Sequence, residues 1–351
     1  MTTLGPLLLE PQERELIWGG HALVERYGKH ASREATIGES WECYDGNRIA
    51  SGPHASATVA DLRATLGAQL MGAADATAPF PLLTKIIDAR APLSVQVHPG
   101  DAYARRVEGQ PNGKTECWVI LEAEPAAKIV LGWKRDTSRD EYLERVRDGS
   151  LGELLREVLV KAGDVFHLPA GTMHAIGAGI VLFETQQTSD LTYRIFDYNR
   201  LGADGKPRPL HVDKAADVLD YRAATRGALA PLAYTLDGVE RTLLVADPNF
   251  TVERIALSSE RHPIDCDGMP LVVFALGAPV ELEARGATLR LAPYQSALVP
   301  AALEVVMAAG VEGSASILTA APPRDRYALD RRLSRAGVDV DASTMFLEQF
   351  S

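Results

Sequence analysis

Short apolar runs, bounded by glycine, proline and polar residues, recur along most of the chain. PLLTKIID (81–88), LSVQVHP (93–99), CWVILEA (117–123), AKIVLGW (127–133), DVFHLPA (164–170) and GIVLFET (179–185) form one series. VERIAL (252–257), LVVFALG (271–277), VELEARG (280–286), ATLRLAP (287–293), QSALVPA (295–301) and ASILTA (315–320) form a second. Runs of this length and composition predict strands. Helical patterns are fewer. Thr58 with Asp61 predicts a helix start, followed by Leu62, Leu66 and Leu70 on one stripe. Ser138 with Glu141, and Ser150 with Glu153, have capping-box spacing, and the second pair precedes Leu154, Leu155 and Val158. These predict short helices near 58–72 and 138–160. A helix-like KAADVLDYRAATRG runs into a proline-containing stretch between about 212 and 242, the best place for a linker.

The expected architecture is mainly β, with two packed sandwiches or barrels. The first occupies 1–225 and carries the helical insertions, and the second occupies 226–321. The arginine-rich 322–351 predicts a docked helix, with Leu329 and Leu333 four apart and Gly337 as terminator; an oligomer contact or a mobile tail are its alternatives.

A length of 351 residues suits two domains, and 46% hydrophobic with 24% charged residues suits a folded soluble chain. No apolar run approaches the roughly 20 residues of a membrane helix. The N-terminus lacks the basic segment of a secretory signal. Cys43, Cys117 and Cys266 have no paired spacing, which disfavours disulfides and a cysteine zinc site and points to a reducing cytoplasm. The net charge of −11 argues against nucleic acid as a partner. An anionic substrate would need a local cationic cluster.

The chemistry gathers in the first half. On LSVQVHP, Gln96 and His98 share one side of a strand while Val95 and Val97 take the other. Glu116 opens the strand that follows GKT. In GDVFHLPAGTMHAIGAG a strand enters, Pro169 and Gly171 turn the chain, and His174 starts the returning strand. This P-x-G-x-x-H turn is the second motif of cupin barrels. Gln96, His98, Glu116 and His174 together offer one amide oxygen, one carboxylate and two imidazoles. That set suits a borderline divalent ion such as zinc, one per chain, with a position left open. The other histidines lack such support. His21, His30 and His54 lie in loop-like sequence, His167 reads as structural, and His211 and His262 belong to no motif.

Several segments carry a more specific likeness: WGG (18–20), IGESWE (37–42), PLLTKIIDARAPLSVQVHPGD (81–101), GKTECWVILEAEPAAKIVLG (113–132), LPAGTMHAIG (168–177) and SDLTYRIFDYNR (189–200). In these the chain resembles the type I phosphomannose isomerases of the cupin superfamily, in their short bacterial form, from about residue 8 to 320. The resemblance implies two cupin-like (jelly-roll) β-barrels, zinc on the four ligands above, and Lys85, Lys114, Asp190 and Arg194 around the substrate. It implies interconversion of mannose 6-phosphate and fructose 6-phosphate through a cis-enediol, with a small sugar phosphate as partner and a monomer or homodimer as the assembly. Lys85 is expected to hold the phosphate, and Lys114 and Arg194 to face the developing enediolate. The base is open among Lys114, Asp190 and a water on the metal. With the metal, the cations are expected to make a positive pocket. Gly113 departs from the long-form relatives, which carry a histidine there. No P-x-G-x-x-H turn recurs in the second half, which reads as a cupin that has lost its metal. A metal-dependent dioxygenase, an isomerase of another sugar phosphate and a non-catalytic sugar-phosphate-binding protein are the alternatives.

Overall fold

The strands pair into four sheets, and the computed structural model describes residues 4–29, 34–202, 205–323 and 326–350. His30 lies outside the described residues. In the first half a six-stranded sheet runs in the order Val165–Leu168, Glu116–Ala123, Ile180–Gln187, Leu82–Ala89, Ile37–Cys43 and Gln12–Gly20. It faces a five-stranded sheet of Tyr193–Phe196, Val95–Val97, His174–Ile176, Lys128–Trp133 and Leu155–Leu159. Trp118, Phe166 and Leu182 from the first sheet meet Ile129, Leu131 and Ile176 from the second. The second half repeats the plan with an eight-stranded and a four-stranded sheet, packed through Ile255, Val273, Val299, Leu282 and Val306. Both halves are thus cupin-like double sheets.

The two halves pack back to back. Every residue of Leu82–Ala89 is buried, because one face looks into the first barrel and the other onto the second half. Ile87 and Ala89 belong to the first interior. Leu82 and Ile86 join Phe183, Phe250, Phe274 and Leu318 in the layer between the halves. A strand covered on both faces reads as an unbroken apolar run, which is why it was easy to find.

Several expected elements differ. Leu7–Glu10 crosses the expected boundary near 225 and pairs with Ser296–Val299 (Leu7 opposite Leu298), adding a strand to the second half's sheet. The helix expected after Ser150 and Glu153 is only a single turn, Leu151–Glu153. Ser150 turns its hydroxyl to Asp148 and caps nothing. Leu155–Leu159 is instead an edge strand, Ile129 opposite Val158. The open edge of Lys128–Trp133 satisfies more of its backbone groups than an isolated turn of helix would. Val59–Leu66 is a helix with the reciprocal Thr58–Asp61 capping box, but it ends at Gly67, and Leu70 sits in a separate turn. Arg139–Asp148 is capped by the Ser138 side chain, while Glu141 reaches back past the cap to accept from Arg135 and Thr137.

After helix Val212–Val218 the chain passes to the hairpin Leu232–Leu236 and Val239–Asp247. Helices Arg326–Arg335 and Val340–Leu347 dock on that hairpin through Leu329, Leu333 and Phe346. Among the described residues no helix is long and apolar enough to cross a membrane.

At the turn of the second half that corresponds to the histidine turn, Pro300 follows strand Ser296–Val299, and Val305 opens the next strand.

Candidate metal centre and cavity

The P-x-G-x-x-H segment folds as its spacing predicts. Val165–Leu168 enters, and His174 is the first residue of the returning strand. Gly171 takes φ +88, a conformation that suits glycine. Its N–H donates to His98 O at 2.9 Å, and its carbonyl accepts from Asp220 N at 2.9 Å, so the turn is tied to the strand end that carries His98. His174 lies directly opposite Gln96, and Gln96 is opposite Arg194 on its other side. Glu116 comes from the facing sheet.

The four predicted ligands converge. The ligand atoms of His98, Glu116 and His174 lie within 4.8 Å of one another, all three residues being buried. Glu116 Oε2 is 3.3 Å from His98 Nε2, and Glu116 Oε1 is 3.4 Å from His174 Nε2. Gln96 comes beside them with its amide nitrogen 3.2 Å from His174 Nε2, while its oxygen, the expected ligand atom, accepts from Ser94 Oγ at 3.1 Å. Each imidazole is oriented through its other nitrogen: His98 Nδ1 to Leu191 O at 2.8 Å, His174 Nδ1 to Thr172 O at 2.9 Å. A carbonyl only accepts, so both Nδ1 atoms carry protons, and both Nε2 lone pairs face the centre. This is the outer-shell arrangement of metal-bound histidine.

His98 Nε2 and both Glu116 carboxylate oxygens are buried and make no hydrogen bond among the described residues. Buried polar atoms are rarely left so. A divalent cation would satisfy all three, and the donor set fits zinc. Burial, with Lys114 nearby, pushes the His98 imidazole down to about 3, and burial also lowers that of His174. Neutral imidazoles are what a metal requires. Burial alone would raise the Glu116 carboxyl, but Lys114 and the two imidazoles hold it well below the usual carboxylate range.

The centre opens on a cavity of about 1000 Å³. Lys85, Lys114, Asp190 and Arg194, each predicted from sequence, all line it. Lys114 Nζ is 2.9 Å from Glu116 Oε2, although Lys114 lies just before the strand that Glu116 opens and not on it. Lys85 is paired twice, to Glu184 at 2.9 Å and Glu39 at 3.7 Å. Burial would lower its pKa, but these two carboxylates outweigh burial and raise it. The expectation of a positive pocket therefore needs correction for the protein side chains. Glu13, Glu15, Glu39, Glu116, Glu184 and Asp190 line the cavity beside Arg14, Lys85, Lys114, Arg194 and Arg208.

Glu184, Trp41, Arg208 and His211 also line the cavity and were missed. Glu184 had a readable signal. Like Lys85 it interrupts an apolar strand, and the two are cross-strand partners. His167 faces away from the cavity and bonds Asp247 of the second half at 2.8 Å. At Gly113 a Cβ would lie 2.2 Å from Pro99 O, so close backbone approach leaves no room there for the long-form histidine.

Fold and site together define a cupin-like, two-barrel protein whose first barrel carries two histidines and one glutamate that could hold a metal ion at the base of a polar cavity. Residues 7–114 match the family model of the catalytic domain of type I phosphomannose isomerase. The mannose-6-phosphate isomerase of Streptococcus mutans is 40% identical over 257 residues, which is 72% of this chain and 79% of that one. The crystal structure of the Bacillus subtilis mannose 6-phosphate isomerase aligns with TM-score 0.82 at 29% identity, over 90% of this chain and 99% of that one. A mannose 6-phosphate isomerase solved in a zinc-bound form shares the fold at TM-score 0.73 and 17% identity, over 91% of this chain and 100% of its own. The chain belongs to the type I phosphomannose isomerase family.

Proposed function

We propose that the protein interconverts mannose 6-phosphate and fructose 6-phosphate through a cis-enediol, with one zinc held by Gln96, His98, Glu116 and His174. The observation that carries this reading is that the buried His98 Nε2 and both Glu116 oxygens make no hydrogen bond among the described residues, Glu116 having only the Lys114 ion pair, at the base of a cavity lined by Lys114, Asp190 and Arg194. The names of the relatives support the substrate.

Zinc, when bound, polarises the oxygens of the open-chain sugar and favours negative charge on them. The chain's own residues supply the rest. Lys114, held beside Glu116, and Arg194, opposite Gln96, put positive charge where the enediolate develops. Lys114 is paired with a carboxylate and serves better as donor than as base. Asp190 makes no hydrogen bond or ion pair among the described residues, and its carboxylate is available to accept the C2 proton. Lys85, between Glu184 and Glu39, donates to a sugar hydroxyl. Three free, buried cysteines support a reducing compartment such as the cytoplasm.

The test is direct. Mannose 6-phosphate is given to metal-replete protein and fructose 6-phosphate is followed. Chelation should abolish turnover and added zinc should restore it. No turnover of mannose 6-phosphate by protein with zinc confirmed bound would overturn the reading.

A further inference from the structure

The chain that follows Arg194 gathers charge at one side of the cavity. Asp197 accepts from Arg200 Nη2 at 2.6 Å, and from Arg208 through Nε at 2.7 Å and Nη2 at 2.6 Å. Arg194 stands beside them, its Nη1 donating to Pro209 O at 3.1 Å. Arg200 and Arg208 share the Asp197 carboxylate and Arg194 stands beside them without bonding it, so among these described side chains cations outnumber carboxylates. Around Lys85 the balance is reversed: one ammonium lies between two carboxylates, Glu184 and Glu39.

Two donors on this side have no acceptor among the described residues. Arg194 Nε is buried without a hydrogen-bond partner. The Arg208 fork is oriented by Asp197 through Nε and Nη2, which leaves Nη1 over, and Arg208 lines the cavity. His211 adds a third. Its Nδ1 accepts from the Arg194 backbone N–H at 3.2 Å, while the His211 backbone N–H donates to Arg194 O at 2.7 Å. A backbone N–H only donates, so the neutral ring carries its proton on Nε2. His211 also lines the cavity. Burial and the neighbouring Arg194 and Lys214 keep the imidazole below its ordinary value, consistent with that neutral form. Burial lowers Arg194 as well, and Arg208 adds to this, the mark of cations crowded together.

We propose that the phosphate ester of the substrate is held by Arg208 and His211 beside Arg194, and that Lys85 is not its anchor. Oriented guanidinium and imidazole N–H groups with excess positive charge suit a phosphate dianion. A buried ammonium already outnumbered by carboxylates does not. The sugar would then lie with its phosphate toward Arg208 and its reacting carbons toward Lys114 and Asp190. The orientation rests on the isomerase reading; the anion site does not.

The test uses inorganic phosphate as probe on zinc-loaded, full-length protein, by calorimetry, and needs no turnover. Arg208→Gln should weaken phosphate binding by about tenfold or more, the loss of one charge-assisted hydrogen bond. Arg208→Lys should fall between, and Lys85→Met should leave phosphate affinity within about twofold of the parent. Zinc content should stay the same in all three. If turnover is present, the preference for mannose 6-phosphate over mannose should shrink in Arg208→Gln, chiefly through KM. Unchanged phosphate affinity in Arg208→Gln, or a tenfold loss in Lys85→Met alone, overturns the proposal. Should Arg208→Gln fail to fold, Arg208→Lys carries the test with the same two outcomes. Isomerase failure with an Arg208-dependent phosphate site would sink the substrate and keep the site.

Discussion

His174 stands opposite Gln96 and 3.4 Å from Glu116, so truncating it removes one of the proposed zinc ligands and leaves a buried carboxylate with one partner fewer. His174→Ala should therefore lose bound zinc, measured as metal per chain, and turnover with it. His262→Ala should lose neither, because His262 is bonded to Ser258 in the second half and lies away from the cavity. Gly113 makes a different point. An added Cβ would meet Pro99 O at 2.2 Å and Gly100 C at 2.5 Å, both backbone. Gly113→Ala must push the 99–101 backbone, which follows His98 directly, away from residue 113. We expect a stability loss of about 1–3 kcal/mol by urea unfolding, with weaker zinc retention. Single residues were legible where chemistry contradicted context. Gln96, His98, Lys85 and Arg194 interrupt apolar strands, and polar groups in such places need a reason. Arg208 and His211 lie in polar loop sequence, where a charge carries no such contradiction.

Elements were legible where local pattern and tertiary packing agree. Strand Glu116–Ala123 and the Pro169–His174 turn follow from composition and spacing alone. The Thr58–Asp61 box is equally local, and both of its hydrogen bonds form. Thr58→Ala should cost about 1 kcal/mol of stability in urea unfolding and leave zinc content untouched, since the helix is remote from the ligands. The segment after Ser150 failed for a tertiary reason. Leu155–Leu159 forms a strand because Lys128–Trp133 presents an open edge, which no local pattern reveals. Gln12–Gly20 and Ile37–Cys43 were hard to read because polar and charged residues line one side of the cavity they build. The site itself blurs the strand signal there.

At the scale of the molecule, the second barrel is completed by both ends of the chain. Near the C-terminus, Arg332 pairs with Glu253 at 3.0 Å, and Glu253 also takes Arg241 at 3.3 Å and the Tyr234 hydroxyl. At the N-terminal end, Leu7–Glu10 covers the edge of Ser296–Val299. Lys29 and Glu42 form a buried pair at 2.8 Å, with Ser296 donating to Glu42 at 2.9 Å. Neither end was assigned to the second barrel from sequence, because contacts across most of the chain leave no local signature. They make the second half dependent on the first. A fragment of residues 226–351 would expose the edge of Ser296–Val299 and the apolar layer formed by Phe250, Phe274 and Leu318. Exposed edges and apolar faces of this kind drive aggregation. Expressed alone, the fragment should show no cooperative thermal transition and should bind a hydrophobic dye, whereas the full chain should melt cooperatively. A sharp transition in the isolated fragment would mean that the second barrel closes without the N-terminal strand, and that this pairing only docks one finished domain on another.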